Sequence, residues 1–208
     1  RAIGLVGDNF SSEKVIKRLP GDSAIGHNRY STTGETVMRN IQPLYADLVS
    51  GGFSVAHNGN LTNALKLRKN LIEKGCLFHS TTDTEVIIHL TAISKAKRPI
   101  DRITDALRQI EGAYSLVAMT SDSLIGVRDP NGVRPLVLGK IDDSFVLASE
   151  TCAFDIIGAD YVRAIEPGEL VVINKTGLQS YKPFGERNSH FCIFEYIYFA
   201  RPDSIVED

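Results

Sequence analysis

The sequence predicts a layered α+β domain built on mainly antiparallel sheets. Strand-length apolar runs occupy both ends of the chain, and three helical periodicities follow one another in the middle. Turn signals such as Asp129-Pro130-Asn131-Gly132 join the later strands at hairpin distances. Neither GxGxxG after a strand nor GxxxxGK followed by Ser or Thr occurs, so a doubly wound fold that binds nucleotide through those loops is set aside.

Taken in order, residues 2–6 read as a short buried strand. Ser11-Ser12 offers N-caps for a helix over 13–19, which Pro20-Gly21 stops. Residues 24–31 are expected as a strand with a polar end, and 53–57 as another, followed by Asn58-Gly59-Asn60. A helix over about 62–74 places Ala64, Leu67 and Leu71 on one face and ends at Gly75. A second, over about 83–96, turns Val86, Leu90 and Ile93 inward, with Thr82-Asp83-Thr84-Glu85 as a capping-box pattern. A third, over about 100–110, has an apolar stripe of Ile103, Ala106, Leu107 and Ile110. Strands are then expected at 113–120, 123–128, 133–138, 145–149 and 170–173, with a short helix over 152–157. Residues 183–190 are polar and turn-rich, as a linker would be.

Composition narrows the function classes. At 208 residues the chain can bury one sizeable core. A net charge of −2 gives no reason to expect a nucleic-acid partner. The three cysteines lack CxxC or zinc spacing and suit free thiols in a reducing compartment. No apolar run approaches a membrane span and no signal-peptide pattern opens the chain, so a cytoplasmic protein without a membrane partner is expected.

Three constellations could carry chemistry. In Gly26-His27-Asn28-Arg29-Tyr30-Ser31-Thr32-Thr33-Gly34, the Arg29 fork could grip a carboxylate; a surface ion pair with a Ser/Thr turn explains it too. His57-Asn58-Gly59-Asn60 reads as a strand-to-helix junction. The Asn58 side chain and the Gly59 N–H could there form an oxyanion hole, or the pair could be a plain turn. Ser80 to Glu85 is a helix cap or, with Arg29, half of a zwitterion site, because a free amino acid needs an anion for its ammonium and Asp83 could supply it. None of the five histidines forms an i,i+4 metal pair, and no nucleophile stands out.

Together, GHNRYSTTG (26–34), AHNGNLTN (56–63) and STTDTEVI (80–87) resemble the class II glutamine amidotransferase domain. GVRDPNGVRPLVLG (126–139), ASETCAFDIIGADYVRAIEPGE (148–169) and CIFEYIYFARPDS (192–204) narrow the resemblance to the amidophosphoribosyltransferase family, and it covers essentially the whole chain. Other class II amidotransferases, such as glucosamine-6-phosphate synthase, share the Arg, Asn-Gly and Asp elements but not the FEYIYFARPDS exit. A non-catalytic glutamine-binding module that kept the pocket is the alternative of another class.

The resemblance implies a four-layer αββα sandwich of the N-terminal-nucleophile hydrolase type, here lacking its first strands. In that family an N-terminal cysteine attacks the glutamine amide with its own α-amino group as base. The ammonia passes to a phosphoribosyltransferase domain and displaces pyrophosphate from phosphoribosyl pyrophosphate, giving 5-phosphoribosylamine in the first step of purine nucleotide synthesis. Carried over motif by motif, Arg29 would hold the glutamine α-carboxylate, Thr32 would contact the substrate and Asp83 would bind the α-amino group. Asn58 and Gly59 would form the oxyanion hole, and Arg134 would be structural.

The family's opening Cys-Gly segment has no counterpart here, and Arg1 begins beyond it. The expectation is therefore a glutaminase domain, truncated at its N-terminus, over residues 1–182 and, over 183–208, a linker and the start of a phosphoribosyltransferase domain. Such a piece is expected to be inactive by itself and to expose a sheet edge, while the full-length parent would be an active homo-oligomer. Mg2+ is expected in the transferase domain. Some family members hold a [4Fe–4S] cluster whose first ligand stands where Cys192 stands, and others keep that cysteine without a cluster.

Overall fold

The computed structural model describes residues 1–29, 37–185, 190 and 192–206. Two short helices, α1 (Val6–Phe10) and α2 (Glu13–Ile16), open the chain and bury no residue. A 3-10 turn at Met38–Asn40 leads into β1 (Leu44–Leu48) and the long β2 (Gly51–Leu61). Three helices follow: α3 (Ala64–Glu73), α4 (Thr84–Ile93) and α5 (Pro99–Leu107). Then come β3 (Gly112–Met119), β4 (Leu124–Arg128), β5 (Val137–Ile141) and β6 (Ser144–Ala148). Helix α6 (Cys152–Ile157) precedes β7 (Asp160–Ala164), β8 (Leu170–Asn174) and β9 (Gly177–Tyr181), and a π-helical turn at Glu195–Phe199 lies near the end.

The strands form a six-stranded sheet, β1-β2-β3-β4-β8-β9, and a three-stranded sheet, β6-β5-β7. Every pairing is antiparallel. Alternation along β3 and β8 gives the large sheet two apolar faces. Leu116 and Val172 join the core under the three central helices, which contribute Leu71, Ile87 and Leu107. Val117 and Val171 face the opposite way, onto Leu136, Leu138 and Leu147 of the second layer. The α5 stripe is the simplest case. Ile103, Ala106 and Leu107 are all buried, and Pro99 opens the helix where a missing N–H costs nothing.

Helix α6 covers the outer face of the small sheet. Its Phe154 is 2% exposed, and a Cβ on Gly139 would lie 2.9 Å from that ring. The neighbouring Leu138 points the other way, into the core between the sheets. The layers therefore run helices, sheet, sheet, helix, as the resemblance implied.

The two ends of the chain depart from the sequence reading. Residues 2–5 form no strand, and Val6, expected at a strand's end, begins a helix. Ile3, Leu5 and Val6 stay exposed, so no sheet edge takes them, and a five-residue apolar run does not by itself distinguish strand from helix. Residues 24–29 make no ladder either, and the remainder of that expected strand lies outside the described residues. Strands β1, β7 and β9 were not expected. Two of them edge the large sheet and the third edges the small one, and each is only five residues long, too short to give a firm periodicity. β5 begins at Val137 rather than 133, because residues 129–136 form a braced loop, described below. Among the described residues no helix is long and apolar enough to cross a membrane.

Candidate functional site

The site is organised by the far end of β2. Strand β1 accompanies β2 only as far as Val55, so residues 56–61 have β3 on one side and an open edge on the other. Two side chains take the place of a strand there. The Gln42 amide accepts from the His57 N–H at 2.7 Å and donates to its carbonyl at 3.5 Å. Asp83 Oδ2 accepts from the Leu61 N–H at 2.9 Å.

Alternation sends the Gly59 N–H off the same edge, between those two. The residue opposite Gly59, Tyr114, spends its own N–H and C=O on Asp129 at the other side of β3, which fits this register. Gly59 cannot carry a side chain here. Its φ is +138°, and a Cβ would fall 2.1 Å from the Ala113 carbonyl oxygen. Gly112 repeats the geometry from the partner strand, with φ +135° and a Cβ 2.2 Å from the Asn60 oxygen. The expected strand–Asn-Gly–helix junction is thus corrected. The strand runs through Asn58-Gly59-Asn60 to Leu61, and the helix starts at Ala64.

Asp83 stands at the N-cap of α4 but makes no side-chain cap bond. Its Oδ1 lies 3.6 Å from Nδ1 of the buried His57. Burial pushes the Asp83 carboxyl up, but the His57 imidazole and the Leu61 and Thr84 amides more than offset this and leave it below its ordinary value. Asp83 is therefore a carboxylate, side chain 17% exposed, at the end of the open edge.

The expected capping box is displaced. Glu85 reaches back past Thr82, accepting from the His79 N–H at 2.8 Å and from the Ser80 N–H and Oγ at 2.7 Å each. Asn40 clamps the same loop, accepting from the Thr81 N–H and donating to its Oγ1. Arg68 lies over the Phe78 ring and donates to the Ser80 carbonyl.

Glu85 makes this loop acid-sensitive. Burial pushes its carboxyl up, yet the His89 imidazole and the loop donors outweigh that and hold it at about 2, against an ordinary 4.5. A depressed folded value means that the stability it contributes is complete above about pH 4.5 and drains away as pH falls through about 2. The full effect is about 3 kcal/mol. Glu85→Gln is expected to lower stability at pH 7 and to flatten its dependence between pH 5 and 2.5. Parallel urea-midpoint curves for the two proteins over that range would refute the account.

Asn58 faces the second sheet, on the side opposite His57. Its Oδ1 accepts from Nη2 of Arg134 at 3.0 Å. The same guanidinium pairs with the buried Glu195 and lies 4.7 Å from the Phe199 ring centroid. Burial pushes the Glu195 carboxyl up in spite of Arg134. The loop carrying Arg134 is held from within. Asp129 accepts from the backbone N–H groups of Tyr114, Asn131, Val133 and Arg134, and Arg128 donates to the carbonyls of Gly132, Arg134 and Ile165.

Of the residues expected at the site, Asn58 and Gly59 lie on this end of β2 and Asp83 bonds to it at Leu61, with the Asn58 side chain on the face opposite His57. Arg29 is half-buried on a segment that docks there. His27 Nε2 meets the His57 carbonyl at 3.1 Å, and burial, with the Arg29 guanidinium adding to it, holds the His27 imidazole below its ordinary value in spite of that carbonyl. Thr32 lies outside the described residues. Cys192 is half-buried, its carbonyl accepting from the Glu195 N–H. Among the described residues no group of three or more His, Cys, Asp or Glu could hold a metal ion, so these residues do not by themselves fit an iron–sulfur cluster. Gln42, His57, Arg134 and Glu195 were not expected at the site. Only the crowding of amides and a Pro before β1 hinted at Gln42.

A family described as the glutamine amidotransferase domain matches residues 27–155. Amidophosphoribosyltransferase of Rhizobium etli is 50% identical over 99% of this chain and 42% of its own length. That of Bacillus subtilis is 42% identical over 98% of this chain and 43% of its own. The B. subtilis glutamine phosphoribosylpyrophosphate amidotransferase, solved with ADP and GMP, superimposes with a TM-score of 0.81 at 43% identity, over 86% of this chain and 39% of that one. A structure described as the allosteric regulatory enzyme of purine biosynthesis gives 0.88 at 40% identity, over 98% of this chain and 44% of that one. The chain thus spans well under half the length of these relatives. It belongs to the glutamine amidotransferase family.

Proposed function

We propose that this chain is the glutamine-hydrolysing part of an amidophosphoribosyltransferase, which releases ammonia from glutamine and transfers it to phosphoribosyl pyrophosphate to give 5-phosphoribosylamine. The observation that carries the reading is the open edge of β2. Of three N–H groups that alternation directs off it, those of His57 and Leu61 are taken by Gln42 and Asp83, and the Gly59 N–H falls between them, one residue after Asn58. In this reading the Gly59 N–H and the Asn58 amide would be the two donors to the oxyanion that forms when a thiolate adds to an amide carbonyl. The ionised Asp83 suits the substrate ammonium, and Arg29 suits its α-carboxylate, with Thr32 beside it. In this reading the attacking thiolate belongs to an N-terminal cysteine of the whole protein, and Mg2+ to its transferase part. Cys192 would need further ligands from elsewhere in the whole protein to hold a cluster. The three free thiols suit a reducing, cytoplasmic setting.

The test measures glutamine-dependent and ammonia-dependent formation of phosphoribosylamine side by side in the full-length protein. Arg29→Lys replaces a planar fork with a point charge, so the KM for glutamine is expected to rise by about 10-fold or more. The ammonia reaction is expected to be untouched. If both activities fell together, Arg29 would be a structural prop and the reading would fail.

A further inference from the structure

We infer that Arg134 is a positioning residue for glutamine hydrolysis, which sets the Asn58 amide with its NH2 group toward the developing oxyanion. The inference rests on the proposed function. A primary amide can sit in its site in two orientations related by a flip, with oxygen and nitrogen exchanged, and its terminal torsion is soft. Only one orientation stabilises an oxyanion, since the flipped one presents a carbonyl oxygen to negative charge. A guanidinium only donates, so the contact of Arg134 Nη2 at 3.0 Å requires the Asn58 oxygen on its side and the NH2 on the other.

Arg134 is itself immobilised, which a positioning group needs. Its backbone N–H is bound by Asp129, its carbonyl by Arg128, its second nitrogen by Glu195, and its face by the Phe199 ring. Glu195 also offsets the guanidinium charge. Arg134 can then orient the amide without drawing the substrate anion to itself. The positive charge next to Asn58 Oδ1 polarises the amide and makes its NH2 the stronger donor.

The experiment is a cycle of Asn58→Ala, Arg134→Met and the double variant in the full-length protein, with Arg134→Lys alongside and both activities measured. Arg134→Met is expected to lower glutamine-dependent kcat by about 10-fold or more, with little change in KM, because the interaction it governs forms in the transition state. Arg134→Lys is expected to recover part of that loss, since an ammonium also only donates. The double variant is expected to lose no more than Asn58→Ala alone. An Arg134→Met loss that multiplies fully on top of Asn58→Ala, or one that appears in KM alone, would overturn the inference. Should Asn58→Ala itself leave glutamine hydrolysis intact, the proposed site would fail instead, so the two failures are distinguishable. A variant that does not fold would be recognised by the loss of its ammonia-dependent activity, and Arg134→Lys then carries the test.

Discussion

Replacing Asn58 by Ala in the full-length protein is expected to lower glutamine-dependent turnover by about 10²- to 10³-fold, the range for loss of one oxyanion donor. The effect belongs in kcat, because the donor meets its full charge only in the transition state. KM for glutamine should move little, since Arg29 and Asp83 rather than Asn58 would meet the substrate's charged ends. The fold should survive. Asn58 gives up one hydrogen bond to Arg134, and Arg134 keeps Glu195 and Phe199. Ammonia-dependent synthesis bypasses the site and should continue. A variant that kept its glutamine kcat would remove Asn58 from the chemistry.

Gly59→Ala is expected to fail in a different way. The new Cβ would lie 2.1 Å from a backbone oxygen of β3, at a φ of +138° that L side chains rarely adopt. Neither strand can give way easily, because Tyr114 and Asp129 hold β3 from the far side. A clash with the backbone added to backbone strain should cost more than about 4 kcal/mol. Much of the stability of an ordinary domain, roughly 5–15 kcal/mol, would be lost. Gly112→Ala should behave alike, since its Cβ would strike the Asn60 oxygen. Chemical denaturation of each variant checks this, and a midpoint within error of the parent's would show that the strands relax after all.

The parts of the fold that could be read in the sequence are those whose signal is local. Helices α3 to α5 announced themselves by apolar spacing, although Ile93, expected inward at the end of α4, is 43% exposed. Ile103, Ala106 and Leu107 are buried as their periodicity required. What could not be read depends on partners distant in the chain. β1 is only five residues long and carries Asp47, yet it is held because it pairs with β2 from Leu44 onward. Asp83 was read as a cap or an ammonium ligand. Its bond to the Leu61 amide, 22 residues away, has no signature in the Thr82–Glu85 pattern. His57 was passed over because only metal-like spacing was sought, and a histidine packed against Asp83 shows none. Arg134 was set aside as structural, and its contact with Asn58 spans 76 residues. It is structural in how firmly it is held, and what it holds is a residue expected at the site.

The two proposed donors differ in how each can be lost over generations. Asn58 contributes through its side chain, so a single codon change can silence it in a chain that still folds. Gly59 contributes through the main chain, at a place where β3 admits no other residue. A change there is removed as misfolding before its effect on chemistry matters. In a duplicated copy of the gene relieved of its catalytic duty, position 58 should therefore drift while 59 and 112 remain glycine. Retention of the glycine pair then reports only that the sheet closes, and the identity of residue 58 reports whether the site is still in use.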